Sequence, residues 1–74
     1  MNTIPTSLPG HLIDWYWDEV QTDLVKTHQV SAAAAQKGIR KYRRALARVG
    51  VGDIQYHADA SDTAKDIKTG GYTD

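Results

Sequence analysis

Apolar side chains recur at helical spacing in the first third of the chain. Between residues 10 and 27 they follow one another at steps of three and four, and they occupy one face of a helical wheel about 140° wide. The members of this face are Leu12, Ile13, Tyr16, Trp17, Val20 and Leu24. Asp14, Asp18 and Gln21 fall on the opposite side. The pattern predicts a first amphipathic helix over residues 10–27.

A second amphipathic helix is predicted over residues 31–49. Ser31 is a favoured N-cap, and the alanines at 32–35 are strong helix formers. Gly50 follows the last periodic residue and is typical of a helix end. Gly38 lies inside the pattern and costs about 1 kcal/mol relative to alanine. We therefore expect another backbone, or an aromatic ring of the first helix such as Trp17 or Tyr16, to lie close to Gly38.

The two faces of this second helix differ in character. Its apolar face covers about 80° of arc and contains Ala35, Ile39, Tyr42, Leu46 and Val49. The far side carries a basic stripe, defined here as Lys37, Arg40, Lys41, Arg44 and Arg48. The cations are therefore predicted to point away from the core.

The last third of the chain is less regular. Residues 54–57 alternate and are consistent with a short extended piece. Asp59 or Ser61 is suited to cap a short third helix over residues 59–68, which the glycines at 70 and 71 end. Residues 70–74 are predicted to form a tail.

The predicted fold class is all-α: an antiparallel two-helix hairpin plus a short C-terminal third helix. A connection as short as 27–30 favours antiparallel packing. Residues 1–74 are predicted to form a single small helical domain, with 1–9 as an extended arm. The expected core adds Val30 to the two apolar faces, with the space between the helices filled by Ile54, Tyr56, Ala64 and Ile67.

Composition narrows the classes of function. The 74 residues contain no cysteine, which excludes disulfides and thiolate metal sites. No apolar run is long enough to span a membrane, and the first residues lack the features of a secretory signal. We expect a cytoplasmic location. Because so short a chain buries a small core, we also expect a homo-oligomer, a dimer, to enlarge that core.

The charges are segregated although their sum is zero. Nine basic residues balance nine acidic ones, yet residues 31–48 hold six cations and no anion. Acidic residues predominate on both sides of this segment. Such a pattern either recruits an anionic partner or pairs with the chain's own acidic helices, and the sequence leaves both open.

Three consecutive aromatic residues, at positions 15–17, cannot all enter one core, because neighbouring helix residues point about 100° apart. Tyr16 and Trp17 lie on the apolar face, whereas Trp15 lies near the polar side. An exposed tryptophan is typical of an interface anchor. The predicted partner-binding residues are Trp15, Asp18, Glu19 and Thr22. The alternative is that the N-terminal arm or the C-terminal segment covers Trp15.

The spacing of residues 30–39 resembles the second helix of a helix-turn-helix protein. This resemblance implies nucleic-acid or other anion binding by Gln36, Lys37, Arg40, Lys41, Arg44 and Arg48. Three features argue against it. Gln29 stands where glycine is usual, the positions that would read bases are the apolar Ala32 and Ala33, and the first helix is acidic. The alternative is an ordinary hairpin with a solvated basic face.

Catalytic and metal-binding patterns are not found. The histidines at 11, 28 and 57 are scattered and form no tetrahedral set. No cysteine nucleophile, phosphate loop or serine elbow occurs. We therefore expect a protein that is not an enzyme, with no catalytic residue, no metal, no cofactor and no small-molecule substrate. The predicted function is a small interaction module, a homodimer or a binder of another protein. The alternative is a nucleic-acid-binding regulator.

Overall fold

The computed structural model describes residues 10–50, 56 and 58–74. It contains three α-helices: α1 (Gly10–Lys26), α2 (Ala32–Val49) and α3 (Ala60–Thr69). No strand occurs among the described residues, and the predicted all-α class with three helices is confirmed. The antiparallel orientation of the hairpin stays a prediction. The predicted arm over 1–9 and most of the extended piece over 54–57 lie outside the described residues.

Local sequence signals explain the ends of α2. The Ser31 side chain accepts a hydrogen bond of 3.1 Å from the Ala34 N–H, as an N-cap does. Gly50 is left-handed, with φ of 72°, and its N–H donates to the Leu46 carbonyl at 3.0 Å. The helix is unbroken at Gly38. Asp59 occupies the N-cap position of α3, but its side chain makes no capping hydrogen bond.

The core lies between the three helices, and α1 packs more extensively against α3 than against α2. Most predicted core residues are buried: Tyr16, Trp17, Val20, Leu24, Val30, Ala35, Ile39, Ala64 and Ile67. Four others pack against this core and are partly buried: Ile13, Tyr42, Leu46 and Tyr56.

Two core predictions are wrong. Leu12 is 45% exposed and lies at one edge of the apolar face of α1, about 70° from its centre. Val49 is 70% exposed, because it is the last residue of α2 and no described element covers it. Both helices bury an apolar face as predicted, but each buried face lacks one of its predicted residues.

The C-terminal residues pack against α2, so the predicted tail is wrong for Tyr72 and Thr73. Thr73 is buried, and the Tyr72 ring lies edge-on to Tyr42 at 5.4 Å between centroids. A Cβ atom at Gly38 would lie 2.7 Å from Cγ2 of Thr73 and 3.1 Å from Cγ2 of Ile67. Gly38 therefore permits a close approach, as predicted, but to the C-terminal segment rather than to the rings of α1.

Polar bonds inside the core join α1 to the third helix and the residues before it. The Tyr16 hydroxyl donates to the Ala58 carbonyl at 3.1 Å and shares a hydrogen bond of 2.6 Å with the Thr63 hydroxyl. The Trp17 indole N–H donates to the Tyr56 hydroxyl at 3.1 Å. These bonds satisfy polar groups that would otherwise be costly to bury.

Candidate interaction surfaces

Trp15 lies on the outer side of α1, where its side chain is 60% exposed. Within the described residues it makes no hydrogen bond and no ring contact. Leu12 lies one turn earlier and is also exposed. Together with Tyr16 and Tyr56, these two residues line a shallow cavity of about 170 Å³. Leu12 and Trp15 are called the Trp15 patch below.

The other predicted partner-binding residues lie on the same side of α1. Asp18, Glu19 and Thr22 are all exposed. By helical geometry, the four residues span about 100° of arc around Trp15. The Thr22 hydroxyl donates to the Asp18 carbonyl at 2.9 Å, so this donor is engaged within the helix. The carboxylates of Asp18 and Glu19 make no bond within the described part of the chain.

The basic stripe lies on the outer side of α2, and every one of its side chains is exposed, as is that of Gln36. From Lys37 to Arg48 the stripe extends about 17 Å along the helix. No ion pair joins a stripe residue to a carboxylate in the described ranges. The segregated charges left two alternatives: the stripe binds an anionic partner, or it pairs with the chain's own acidic residues. Among the described residues, the stripe does not pair with the chain's own acids.

Arg43 belongs to α2 but has a different environment from the stripe. Its guanidinium carbon lies 5.0 Å from the ring centroid of Trp17. The Tyr42 ring is 6.4 Å from the same indole. An exposed cation–π contact of this kind contributes about 0.5–1 kcal/mol. Arg43 covers the core, whereas the stripe residues are available to a partner.

A shallow groove between α1 and α2 brings together residues that the sequence assigned to separate surfaces. Its volume is about 240 Å³, and its lining consists of Trp17, Asp18, Gln21, Gln36, Ile39 and Arg40. Asp18 was predicted to bind a protein partner and Arg40 to bind an anion. The groove itself was not predicted, because it depends on how α1 packs against α2, and Gln21 gave no sequence signal of its own.

The turn before α2 bears on the resemblance to helix-turn-helix proteins. Gln29 has a φ of 56°, the left-handed conformation that glycine usually supplies at this position. The N–H of the next residue, Val30, donates to the Leu24 carbonyl at 3.0 Å. Gln29 therefore adopts the turn conformation despite its side chain. The apolar Ala32 and Ala33 remain exposed at the start of α2.

The described residues hold neither a cluster of metal ligands nor a membrane-spanning helix. No group of three or more His, Cys, Asp or Glu side chains there is arranged to hold a metal ion. None of the three helices is both long enough and apolar enough to cross a bilayer. Searches against protein-family models, curated proteins and solved structures find no match to this chain.

Proposed function

We propose that this chain is a small, non-enzymatic interaction module that binds another protein through the Trp15 patch. The observation that carries this proposal is the 60% exposure of the Trp15 side chain. A tryptophan in water leaves a large apolar surface uncovered, and burial of that surface by a partner is favourable.

The surroundings of Trp15 support this role. Exposed Leu12 extends the apolar area, and the cavity beside Trp15 can receive a partner side chain. Asp18 and Glu19 add acidic groups at the rim, where charges contribute to specificity and association rate more than to affinity. An apolar centre with a polar rim is the usual anatomy of a protein–protein interface.

Affinity capture followed by mass spectrometry tests the proposal, with the full chain immobilised as wild type and as Trp15→Ala. We expect a partner captured by the wild type to be lost from Trp15→Ala. Its measured Kd should weaken about 30-fold, which corresponds to the ~2 kcal/mol of an interface hot spot. Val49→Ala is the matched control, since Val49 is exposed on α2. Equal capture by Trp15→Ala and wild type would contradict the proposal.

A second candidate function, nucleic-acid binding by the basic stripe, is favoured by two specific observations. The stripe cations have no acidic partner among the described residues, and Gln29 takes the left-handed turn conformation. Five cations along about 17 Å of helix are suited to phosphate contacts. The apolar Ala32 and Ala33 favour binding without base readout.

A salt titration of fluorescence anisotropy tests this second function with duplex DNA and with RNA. If all five cations contact phosphates, log K should fall with log salt at a slope of about −4.5. The double variant Lys41→Gln, Arg44→Gln should bind more weakly with a shallower slope. The matched control, Lys65→Gln with Lys68→Gln, removes the same charge from exposed positions on α3. Equal effects of the two pairs, or no binding at low salt, would exclude the stripe.

A further inference from the structure

The groove between α1 and α2 combines an apolar floor with a polar rim. Its floor is formed by Trp17 and Ile39, which are almost fully buried. The rim contains one carboxylate, Asp18, and one guanidinium, Arg40. Two amides, Gln21 and Gln36, lie on the same rim, one from each helix. The two helices thus contribute opposite charges to the two sides of a single groove.

The two charges of the rim do not neutralise each other. No ion pair joins Asp18 to Arg40 in the described part of the chain, and neither side chain makes a hydrogen bond there. Both are exposed. The acid on α1 and the base on α2 are therefore both available to groups outside the molecule.

We propose that this groove is the interface with a second copy of the chain, related to the first by a two-fold axis. A two-fold rotation about the centre of the groove brings Arg40 of the second copy to Asp18 of the first, and Asp18 of the second copy to Arg40. The face is then self-complementary, as a two-fold interface requires. The α1 helix of each copy lies against α2 of the other, and the four helices form one layered bundle.

Charge complementarity favours a second copy over other occupants of the groove. A nucleic acid would be attracted by Arg40 but repelled by Asp18 on the opposite rim. A second copy satisfies both charges with one contact repeated twice. Self-association also reinforces a small domain, because a chain of 74 residues without cysteines has no disulfides to do so.

Sedimentation of two charge-reversed variants tests this interface. Asp18→Arg alone places like charges at both contacts, and Arg40→Asp alone does the same with the opposite sign. We expect each variant to dimerise about tenfold or more weakly than the wild type. An equimolar mixture of the two variants should recover the dimer, because each contact in the mixed pair then joins opposite charges. Far-UV circular dichroism of each variant shows that its helices are intact.

Matched controls change charge away from the groove. Lys37 is exposed on the outer side of α2, and Asp62 is exposed on α3. The variants Lys37→Asp and Asp62→Arg should both dimerise like the wild type. A monomeric wild type at high micromolar concentration would overturn the inference. A wild-type monomer that co-sediments with duplex DNA would overturn it too. Failure of the mixture to dimerise, or unchanged dimers of the single variants, would overturn it as well.

The groove and the Trp15 patch are distinguished by the same measurement. Trp15 does not line the groove, so Trp15→Ala should sediment as the wild type does while losing its captured partner. Dissociation of the dimer by Trp15→Ala would assign self-association to the Trp15 patch and overturn the groove as the interface. A monomeric wild type that still captures a partner through Trp15 would overturn the groove alone.

Discussion

Trp15 and Trp17 lie two positions apart on the same helix, yet they occupy opposite environments. Trp17 is 6% exposed, donates a hydrogen bond to Tyr56 and is covered by Arg43. Trp15 is 60% exposed and has no such partner among the described residues. Two helical steps rotate a side chain by about 200°, so one indole faces the core and the other faces solvent.

This difference separates stability from binding within a single helix. Folding buries the surface of Trp17, and the free energy of this burial stabilises the folded state. The surface of Trp15 is still in water, so its burial is available to a partner. Truncation of the two side chains should therefore affect different measurements.

Trp17→Ala should produce the largest loss of stability. It removes a buried indole, its hydrogen bond to Tyr56 and its contacts with Tyr16 and Tyr42. Truncations of this kind cost about 3–5 kcal/mol, a large part of the total stability of a small domain. Urea unfolding followed by far-UV circular dichroism measures the loss. A change below about 1 kcal/mol would contradict the core position of Trp17.

Gly38 and Gly10 repeat the contrast between the two tryptophans, because Gly38 is buried and Gly10 is exposed. Gly38→Ala tests the buried position. Alanine improves helix propensity by about 1 kcal/mol, but its Cβ would lie 2.7 Å from Thr73 Cγ2 and 3.3 Å from the Tyr72 carbonyl oxygen. Overpacking costs about 1–3 kcal/mol, so we expect a net destabilisation of about 1 kcal/mol in thermal or urea unfolding.

Gly10→Ala is the control for this substitution. Apart from its chain neighbours and the backbone of its own helix, no described residue has an atom within 4 Å of the Cβ that it would add, and we expect no loss of stability. If Gly38→Ala proved more stable than the wild type while Gly10→Ala stayed neutral, the packing of Tyr72 and Thr73 against α2 would be wrong.

Trp15→Ala should have the smallest effect on unfolding. Substitutions at exposed positions change stability by about 0.5 kcal/mol or less, and Trp15 has no hydrogen bond to lose within the described residues. The same urea experiment serves for both tryptophans, so each variant is the control of the other. A loss comparable to that of Trp17→Ala would show that Trp15 supports the fold and would remove the contrast.

Local signals in the sequence predicted the helices closely. The caps at Ser31 and Gly50 place both ends of α2, because a hydroxyl and a left-handed glycine satisfy backbone groups within a few residues. Periodicity separated the basic stripe from the core and Trp15 from Trp17. It overestimated the apolar faces at Leu12 and Val49 because a helical wheel does not show which of its positions another element covers.

Of the candidate surfaces, only the parts formed by one helix were predictable. The outward positions of Trp15 and of the basic stripe depend on the direction of side chains about a single axis, which the 100° step of a helix determines. Leu12, the other residue of the Trp15 patch, was wrongly assigned to the core. The groove that joins Asp18 to Arg40 requires α1 and α2 to be placed beside each other. No spacing within either helix carries that information.

The amino-acid sequence by itself determined three helices, the capped ends of α2, an outward row of cations and one tryptophan on each side of α1. The tertiary structure alone decided that Tyr72 and Thr73 close against Gly38, that Arg43 covers Trp17, and that an acid and a base share one groove. The physical reason is the separation along the chain over which each interaction acts. Helix periodicity and caps act over a few residues, whereas these contacts join side chains that are far apart along the chain and meet only when the helices pack.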